Sequence, residues 1–111
     1  MRLTHEEEGS YAAVAISGRL DAVTSPQAET ELKAILEKRP PAIILDLSEL
    51  EYVSSAGLRI LLVAAKTVKQ NDTTLVLCGL KGTVSDVIQM SGFTRIFDIV
   101  ATREEAVARL Q

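Results

Sequence analysis

The stretch Ala42-Ile43-Ile44-Leu45-Asp46-Leu47 decides the fold that the sequence predicts. It is a short run of apolar, largely β-branched or leucine side chains, and Pro40-Pro41 stands directly before it. A run of this length next to helix-breaking residues favours a strand buried on both faces, as in a parallel sheet covered by helices. The chain around it is therefore expected to alternate between strands and helices.

Helical patterns lie on both sides of this strand. On the N-terminal side, Ser25 and Pro26 are typical of an N-cap and a first helical position. An apolar stripe of helical spacing follows, formed by Ala28, Leu32, Ile35 and Leu36. On the C-terminal side, residues 48–53 are predicted to form a loop, and Ser54-Ser55-Ala56-Gly57 is predicted to open a second, unusually apolar helix.

The rest of the chain continues the alternation. Strands are predicted at residues 11–17, 73–77 and 96–100, with an edge strand at 2–7. A short helix is predicted at residues 83–91, followed by Gly92 as its C′ residue. The capping box Thr102-x-x-Glu105 predicts the start of a last helix. The order indicates an α/β fold in a single domain over residues 1–111. Its sheet is expected to be mixed and mostly parallel, with about four to five strands and about four helices.

Composition narrows the classes of function. The 111 residues are 47% hydrophobic and 24% charged, which fits one globular domain and argues against disorder. The 12 basic and 15 acidic residues give a net charge of −3, and only 4% of residues are aromatic. A nucleic-acid binder usually carries a basic stripe or stacking aromatics, so neither nucleic acid nor a membrane surface is expected as a partner.

The cysteine count and the N-terminus predict a cytoplasmic location. Cys78 is the only cysteine, so an internal disulfide and cysteine-based metal spacing are both absent from the sequence. Residues 1–8 carry no apolar segment of a signal peptide, and no apolar run is long enough for a membrane span.

Enzymatic interpretations find little support in the sequence. Residues 53–57 half-match the G-x-S-x-G nucleophile elbow but lack its first glycine. A serine nucleophile also needs a base, and His5, the only histidine, falls on the predicted edge strand. Phosphate-binding glycine loops and the H-E-x-x-H zinc motif are missing too. We therefore expect a protein that is not an enzyme and needs no metal or cofactor.

Ser55 can be interpreted in two ways. Serine at the start of a helix commonly caps it, which would give Ser55 a purely structural role. A helix N-terminus is also a place where free N–H groups and the macrodipole can hold a phosphate. Next to it, Gly57 would let a partner approach the backbone, and Leu58 and Ile60 would either offer an apolar contact surface or pack into the core.

Two aspartates are expected near this serine. In open α/β sheets, functional groups gather at the carboxyl ends of the strands, and here those ends carry Asp21, Asp46 and the Ser54-Ser55 loop. These three segments are predicted to converge on one surface. The alternative role of both aspartates is to form turns and cap local N–H groups.

Three segments resemble the STAS family of anti-sigma-factor antagonists and sulfate-transporter-linked domains. Residues 45–58 (LDLSELEYVSSAGL) look like the family's signature, Gly18-Arg19-Leu20-Asp21 is similar to its earlier G-x-L-D element, and residues 84–93 resemble its later segment. The resemblance implies a phosphorylatable serine at Ser55. It also implies a bacterial partner that is both an anti-sigma factor and a serine kinase, together with a phosphatase that resets the switch.

In this scheme, the unphosphorylated protein binds its partner and frees a sigma factor, and the phosphorylated form releases the partner. The protein is expected to be a monomer or weak dimer. The resemblance places the partner-binding surface at Asp21, Asp46, Ser54, Ala56, Gly57 and Leu58. The sequence departs from the common pattern at two positions, since Ser54 stands where aspartate is frequent and Ala56 where serine or threonine is frequent. Ser54 is therefore a second candidate for the phosphate acceptor.

The sequence is also compatible with two other functions. The first is a STAS scaffold or transport-accessory subunit that docks on a larger complex without phosphorylation. The second is a small nucleotide-binding α/β domain.

Overall fold

Strands and helices alternate in the computed structural model, which describes residues 1–90, 92 and 96–110. The strands are β1 (Arg2–Glu7), β2 (Ala12–Leu20), β3 (Ala42–Asp46), β4 (Leu50–Val53), β5 (Thr74–Cys78) and β6 (Asp98–Val100). The helices are α1 (Ser25–Glu37), α2 (Ser55–Gln70), α3 (Gly82–Met90) and α4 (Arg103–Arg109). The predicted α/β fold is confirmed.

The sheet has the order β1-β2-β3-β5-β6, and β4 lies off this path beside β2. The edge strand β1 pairs antiparallel with β2, while β2, β3, β5 and β6 are parallel neighbours. Residues 42–45 are buried because β3 lies at the centre of the sheet, with a strand on each side and a core on each face. The mixed, mostly parallel sheet is thus as predicted.

Strand β4 corrects the prediction of a loop over residues 48–53. It pairs in parallel with the far end of β2, with Gly18 opposite Leu50 and Leu20 opposite Val53. Strand β2 extends beyond its pairing with β3, so β4 supplies hydrogen-bond partners for the extension. The register shifts between Gly18 and Arg19, where Gly18 adopts a φ of +84° that favours glycine.

Strand β4 shows no period-two alternation in its sequence. Its two ends, Leu50 and Val53, are buried, while Glu51 and Tyr52 between them are exposed. A half-buried strand would alternate instead. The pairing with β2, which is distant in sequence, makes this segment a strand.

Helices cover the two faces of the sheet unequally. The larger core lies where α1, α2 and α3 pack on one face, around the fully buried Val14, Leu20, Leu45, Leu61 and Ile88. The smaller core lies under α4 on the opposite face, and contains Ile44, Val76, Cys78, Val100 and Ala106. The inward positions predicted for α1 (Ala28, Leu32, Ile35 and Leu36) are all buried.

Several element ends differ from the prediction. The N-cap of α1 is Thr24, and Ser25 is instead a buried residue inside the helix. The last strand begins at Asp98 instead of Ile96, because residues 96 and 97 lie in a turn and a bend. The predicted helix end at Ser91 and the family-like Phe93 lie outside the described residues.

Two predicted caps are confirmed. Gly92 has a φ of +75°, and its N–H donates to the Gln89 carbonyl oxygen at 3.2 Å, as expected of a residue that follows a helix. At the start of α4, the Glu105 N–H donates to Thr102 Oγ1 at 3.1 Å. Local sequence chemistry therefore indicated both the glycine that follows α3 and the start of α4.

Candidate functional site

The candidate site lies where β2 and β4 end and α2 begins. Leu20 and Val53 are the last paired residues of the two strands, and the Ser54 N–H donates to the Leu20 carbonyl oxygen at 2.9 Å. This hydrogen bond ties the start of α2 to the end of β2. The turn after β2 and the first turn of α2 are consequently neighbours.

The two serines of this junction have different environments. Ser54 is the N-cap of α2, with extended backbone (φ −89°, ψ 176°), and its Oγ accepts a hydrogen bond from the Gly57 N–H at 3.3 Å. Ser55 is the first residue inside the helix and is exposed. Ser54 therefore has the capping role that was one of the two interpretations of Ser55 from the sequence.

Asp21 organises the turn that follows β2. Its Oδ1 accepts hydrogen bonds from the Val23 N–H at 3.0 Å and from the Thr24 N–H at 3.1 Å. The backbone hydrogen bond from Thr24 is the main cause that lowers the pKa of the Asp21 carboxyl below its ordinary value. Asp21 therefore stays ionised to a lower pH than an ordinary aspartate, and it also has the turn-forming role considered from the sequence.

Asp46 lies apart from this junction. It ends β3 and pairs with Ala15 of β2. Ala15 precedes Leu20 by five residues, so Asp46 lies about 16 Å from the end of β2, measured along the extended strand. Its Oδ1 accepts a hydrogen bond from the Ser48 N–H at 3.0 Å, so it caps the local turn. Of the three segments expected to converge, the structure brings together only the Asp21 turn and the Ser54-Ser55 loop.

The residues after Ser55 face the core more than their sequence pattern predicts. Leu58 and Ile60 are buried, with 8% and 4% of their surface exposed, so neither forms the apolar docking surface considered for them. Gly57 is also buried, and its missing side chain admits the end of β2, not a partner. Ala56 is half-buried, and it stays with Ser55 on the accessible part of the first turn.

Three residues around the junction were missed from the sequence: Arg19, Val23 and Tyr52. Val23 and Tyr52 are exposed large apolar side chains, at 86% and 37% of their surface. The Arg19 guanidinium carbon lies 4.3 Å from the centroid of the Tyr52 ring, and Arg19 Nε lies 3.8 Å from Asp21 Oδ2. Arg19 and Tyr52 both belong to the family-like motifs, but their contact depends on the pairing of β2 with β4.

The geometry does not favour hydrolytic chemistry at Ser55. His5 is on the edge strand β1 opposite Val14, six positions before Leu20, so the imidazole is remote from the serine. Among the described residues, no group of three or more His, Cys, Asp or Glu side chains is arranged to hold a metal ion. None of the helices within the same residues is long and apolar enough to cross a bilayer.

Comparison with known proteins identifies relatives over almost the whole chain. The model of the STAS domain family matches residues 3–106. BtrV of Bordetella bronchiseptica, named as a candidate anti-sigma factor antagonist, is 39% identical over 108 residues, which cover 97% of this chain and 93% of BtrV. The anti-sigma-B factor antagonist of Listeria monocytogenes is 28% identical over 94 residues, covering 85% and 82% of the two chains.

A solved structure agrees with these relatives. The crystal structure of an anti-sigma factor antagonist from Mycobacterium paratuberculosis superposes with a TM-score of 0.91 at 26% identity, covering 98% of this chain and 92% of the other. The family match, the relatives and the shared fold all include the β2–β4–α2 junction. The chain therefore belongs to the STAS domain family.

Proposed function

We propose that this protein is an anti-sigma factor antagonist of the bacterial cytoplasm. In its unphosphorylated form it binds an anti-sigma factor and thereby frees a sigma factor. The anti-sigma factor also acts as a serine kinase that phosphorylates Ser55 and ends the complex, and a phosphatase restores the binding form. The protein is a regulatory binding module with no catalysis of its own.

The observation that carries the proposal is the exposure of Ser55 at the first position of α2. A kinase needs a hydroxyl that it can reach, and this one lies outside the core. Ser54 is the weaker candidate acceptor because its Oγ is half-buried and already caps the helix through the Gly57 N–H.

The position of Ser55 favours a switch that leaves the fold intact. A phosphoryl group brings about −1.5 to −2 charges and three acceptor oxygens. At the N-terminus of α2 it meets unpaired N–H groups and the positive end of the helix dipole, which stabilise negative charge. We therefore expect phosphorylation to be well tolerated within the protein itself.

The effect of the phosphate is expected across the interface. A partner surface shaped for a neutral hydroxyl would face a desolvated charge, at a cost of several kcal/mol as an order of magnitude. Such a cost weakens binding by about a hundredfold or more. Ala56 follows Ser55, and Asp21 follows Leu20, whose carbonyl oxygen accepts the Ser54 N–H. Both are proposed to contact the partner directly, while the buried Gly57 and Leu58 hold the first turn of α2 against the core.

The test begins with capture of the partner from the native cell on the immobilised chain, followed by its identification and purification. Ser55→Ala should bind this anti-sigma factor and resist phosphorylation by it, whereas Ser55→Asp should lose about a hundredfold in affinity. Ser54→Ala is the matched control, and it should still accept phosphate. Thermal unfolding of each variant verifies that it is folded.

Contrary outcomes distinguish the alternatives. Phosphate located by mass spectrometry on a residue other than Ser55 would overturn the site. Equal affinity of both phospho-forms would point to a STAS scaffold that works without phosphorylation. Stabilisation of the isolated chain by a nucleotide in a thermal-shift experiment would support a nucleotide-binding domain instead.

A further inference from the structure

A second group of residues forms an ordered surface next to Ser55. We define the Arg19 patch as Arg19, Asp21, Val23 and Tyr52. Its members come from the end of β2, the following turn and β4. Val23 is exposed over 86% of its surface, in a turn where the Val23 and Thr24 N–H groups both donate to the Asp21 carboxylate. The patch therefore combines an accessible apolar side chain, an aromatic ring and a cation.

The arginine of this patch is held in place. Its guanidinium lies over the Tyr52 ring at 4.3 Å, within the range of a cation–π contact, and its Nε faces Asp21 Oδ2 at 3.8 Å. Asp21 is itself fixed by the N–H groups of Val23 and Thr24. An arginine with restricted rotamers loses less entropy when it binds a partner than a free one does.

This arrangement leaves Arg19 able to bind a second anion. The side chain is 61% exposed, and the ion pair with Asp21 involves Nε alone. A guanidinium has five N–H donors in a planar fork that matches a carboxylate. Arginine and tyrosine are also enriched, together with tryptophan, at energetically important positions of protein interfaces.

The patch adjoins the start of α2. Arg19 and Asp21 are the chain neighbours of Leu20, whose carbonyl oxygen accepts the Ser54 N–H at 2.9 Å. A protein that covers Ser55 would therefore also cover part of the Arg19 patch.

We propose that Arg19, oriented by Tyr52 and Asp21, binds a carboxylate of the same anti-sigma factor that docks at Ser55, and that Val23 packs against an apolar side chain beside that carboxylate. This inference rests on the proposed function and extends it by assigning the chemistry of the partner surface. It makes Arg19 a specificity-determining residue, because a partner without an acidic group at this point would leave the cation unpaired.

The proposal also explains how phosphate would oppose docking. A phosphoryl group on Ser55 would add negative charge beside the position assigned to the partner's carboxylate. The two anions would repel each other and compete for Arg19. The effect of a negative charge at residue 55 should therefore depend on whether Arg19 is present.

The experiment measures the affinity of the purified anti-sigma factor, recovered with the wild-type chain, for a set of variants at low and high NaCl concentration. Arg19→Gln should weaken binding about tenfold at low salt and flatten its salt dependence. Arg19→Lys should restore only part of the affinity, because it keeps the charge but loses the planar fork. Lys69→Gln makes the same charge change in the last turn of α2, about 21 Å along the helix from Ser55, and should alter affinity less than about twofold.

A double-mutant cycle supplies a readout that a merely structural role would not change. The loss caused by Ser55→Asp should be smaller in the Arg19→Gln background than in the wild type. Equal effects of Arg19→Gln and Lys69→Gln, or a strictly additive cycle, would overturn the Arg19 proposal. The proposed function would still stand in that case if Ser55→Asp alone weakened binding. Full binding by Ser55→Asp would overturn both.

Discussion

The carbonyl oxygen of Leu20 lies 2.5 Å from the position that a Cβ atom on Gly57 would occupy. The same oxygen accepts the Ser54 N–H, so the end of β2 fits directly into the first turn of α2. This contact explains why the residue two positions after Ser55 is glycine. It also fixes where the exposed hydroxyl stands relative to Arg19 and Asp21.

Gly57→Ala should destabilise the protein by about 2–3 kcal/mol, because the new methyl group would meet backbone that cannot rotate away. Chemical denaturation of the variant measures this loss. Ser55→Ala, two positions earlier on the exposed side, is the control and should change the free energy of unfolding by less than about 0.5 kcal/mol. A Gly57→Ala variant of wild-type stability would contradict the close approach of Leu20.

Ser54→Ala should lower the free energy of unfolding by about 1 kcal/mol, since it removes the side-chain acceptor for the Gly57 N–H. Ser54→Asp, which retains a capping oxygen, should recover most of that stability. Denaturant unfolding of both variants tests the assignment of the N-cap. If Ser55→Ala were the more destabilising of the two alanine substitutions, the cap would lie at Ser55.

Leu58→Ala should cost about 2–5 kcal/mol of stability, because Leu58 packs in the core under the first turn of α2. Val63→Ala is the matched control on the same helix, since 44% of the Val63 surface is exposed, and its cost should be well below 1.5 kcal/mol. The comparison is made by urea unfolding. Similar costs at the two positions would show that Leu58 is not a core residue.

The thiol of Cys78 should resist modification in the folded protein. Burial is the main cause that raises the pKa of Cys78 from 9.0 to about 11, and the nearby charge of Asp46 adds to it. The folded state favours the neutral thiol over the thiolate. The contribution of the neutral thiol to stability is therefore complete below pH 9.0 and is lost as the pH rises to about 11. Reaction with a thiol reagent should stay slow at pH 8 and become fast in urea.

The pH dependence gives a second measure of this burial. The free energy of unfolding should fall between pH 9.0 and about pH 11 in the wild type, and less so in Cys78→Ala, which has no thiol to ionise. Rapid labelling of the native protein at pH 8 would contradict the buried position of Cys78.

Local patterns in the sequence determined most of the secondary structure. The run at residues 42–45 defined the central strand, the apolar stripe and Pro26 defined α1, and Thr102 with Glu105 defined the start of α4. Each of these signals acts within a few residues of the chain. The family-like motif likewise predicts Ser55 at the beginning of α2, although the motif says nothing of the segments that surround Ser55 in space.

Only the tertiary structure decided how the candidate site is composed. The pairing of β2 first with β3 and then with β4 separates Asp46 from Ser55 and brings Arg19 onto Tyr52. The contact with Leu20 buries Gly57 beneath the first turn of α2, and Ser54 caps that turn while Ser55 stays exposed. Periodicity and capping are local properties of the chain, whereas strand register and helix docking arise from contacts between segments that are distant in sequence.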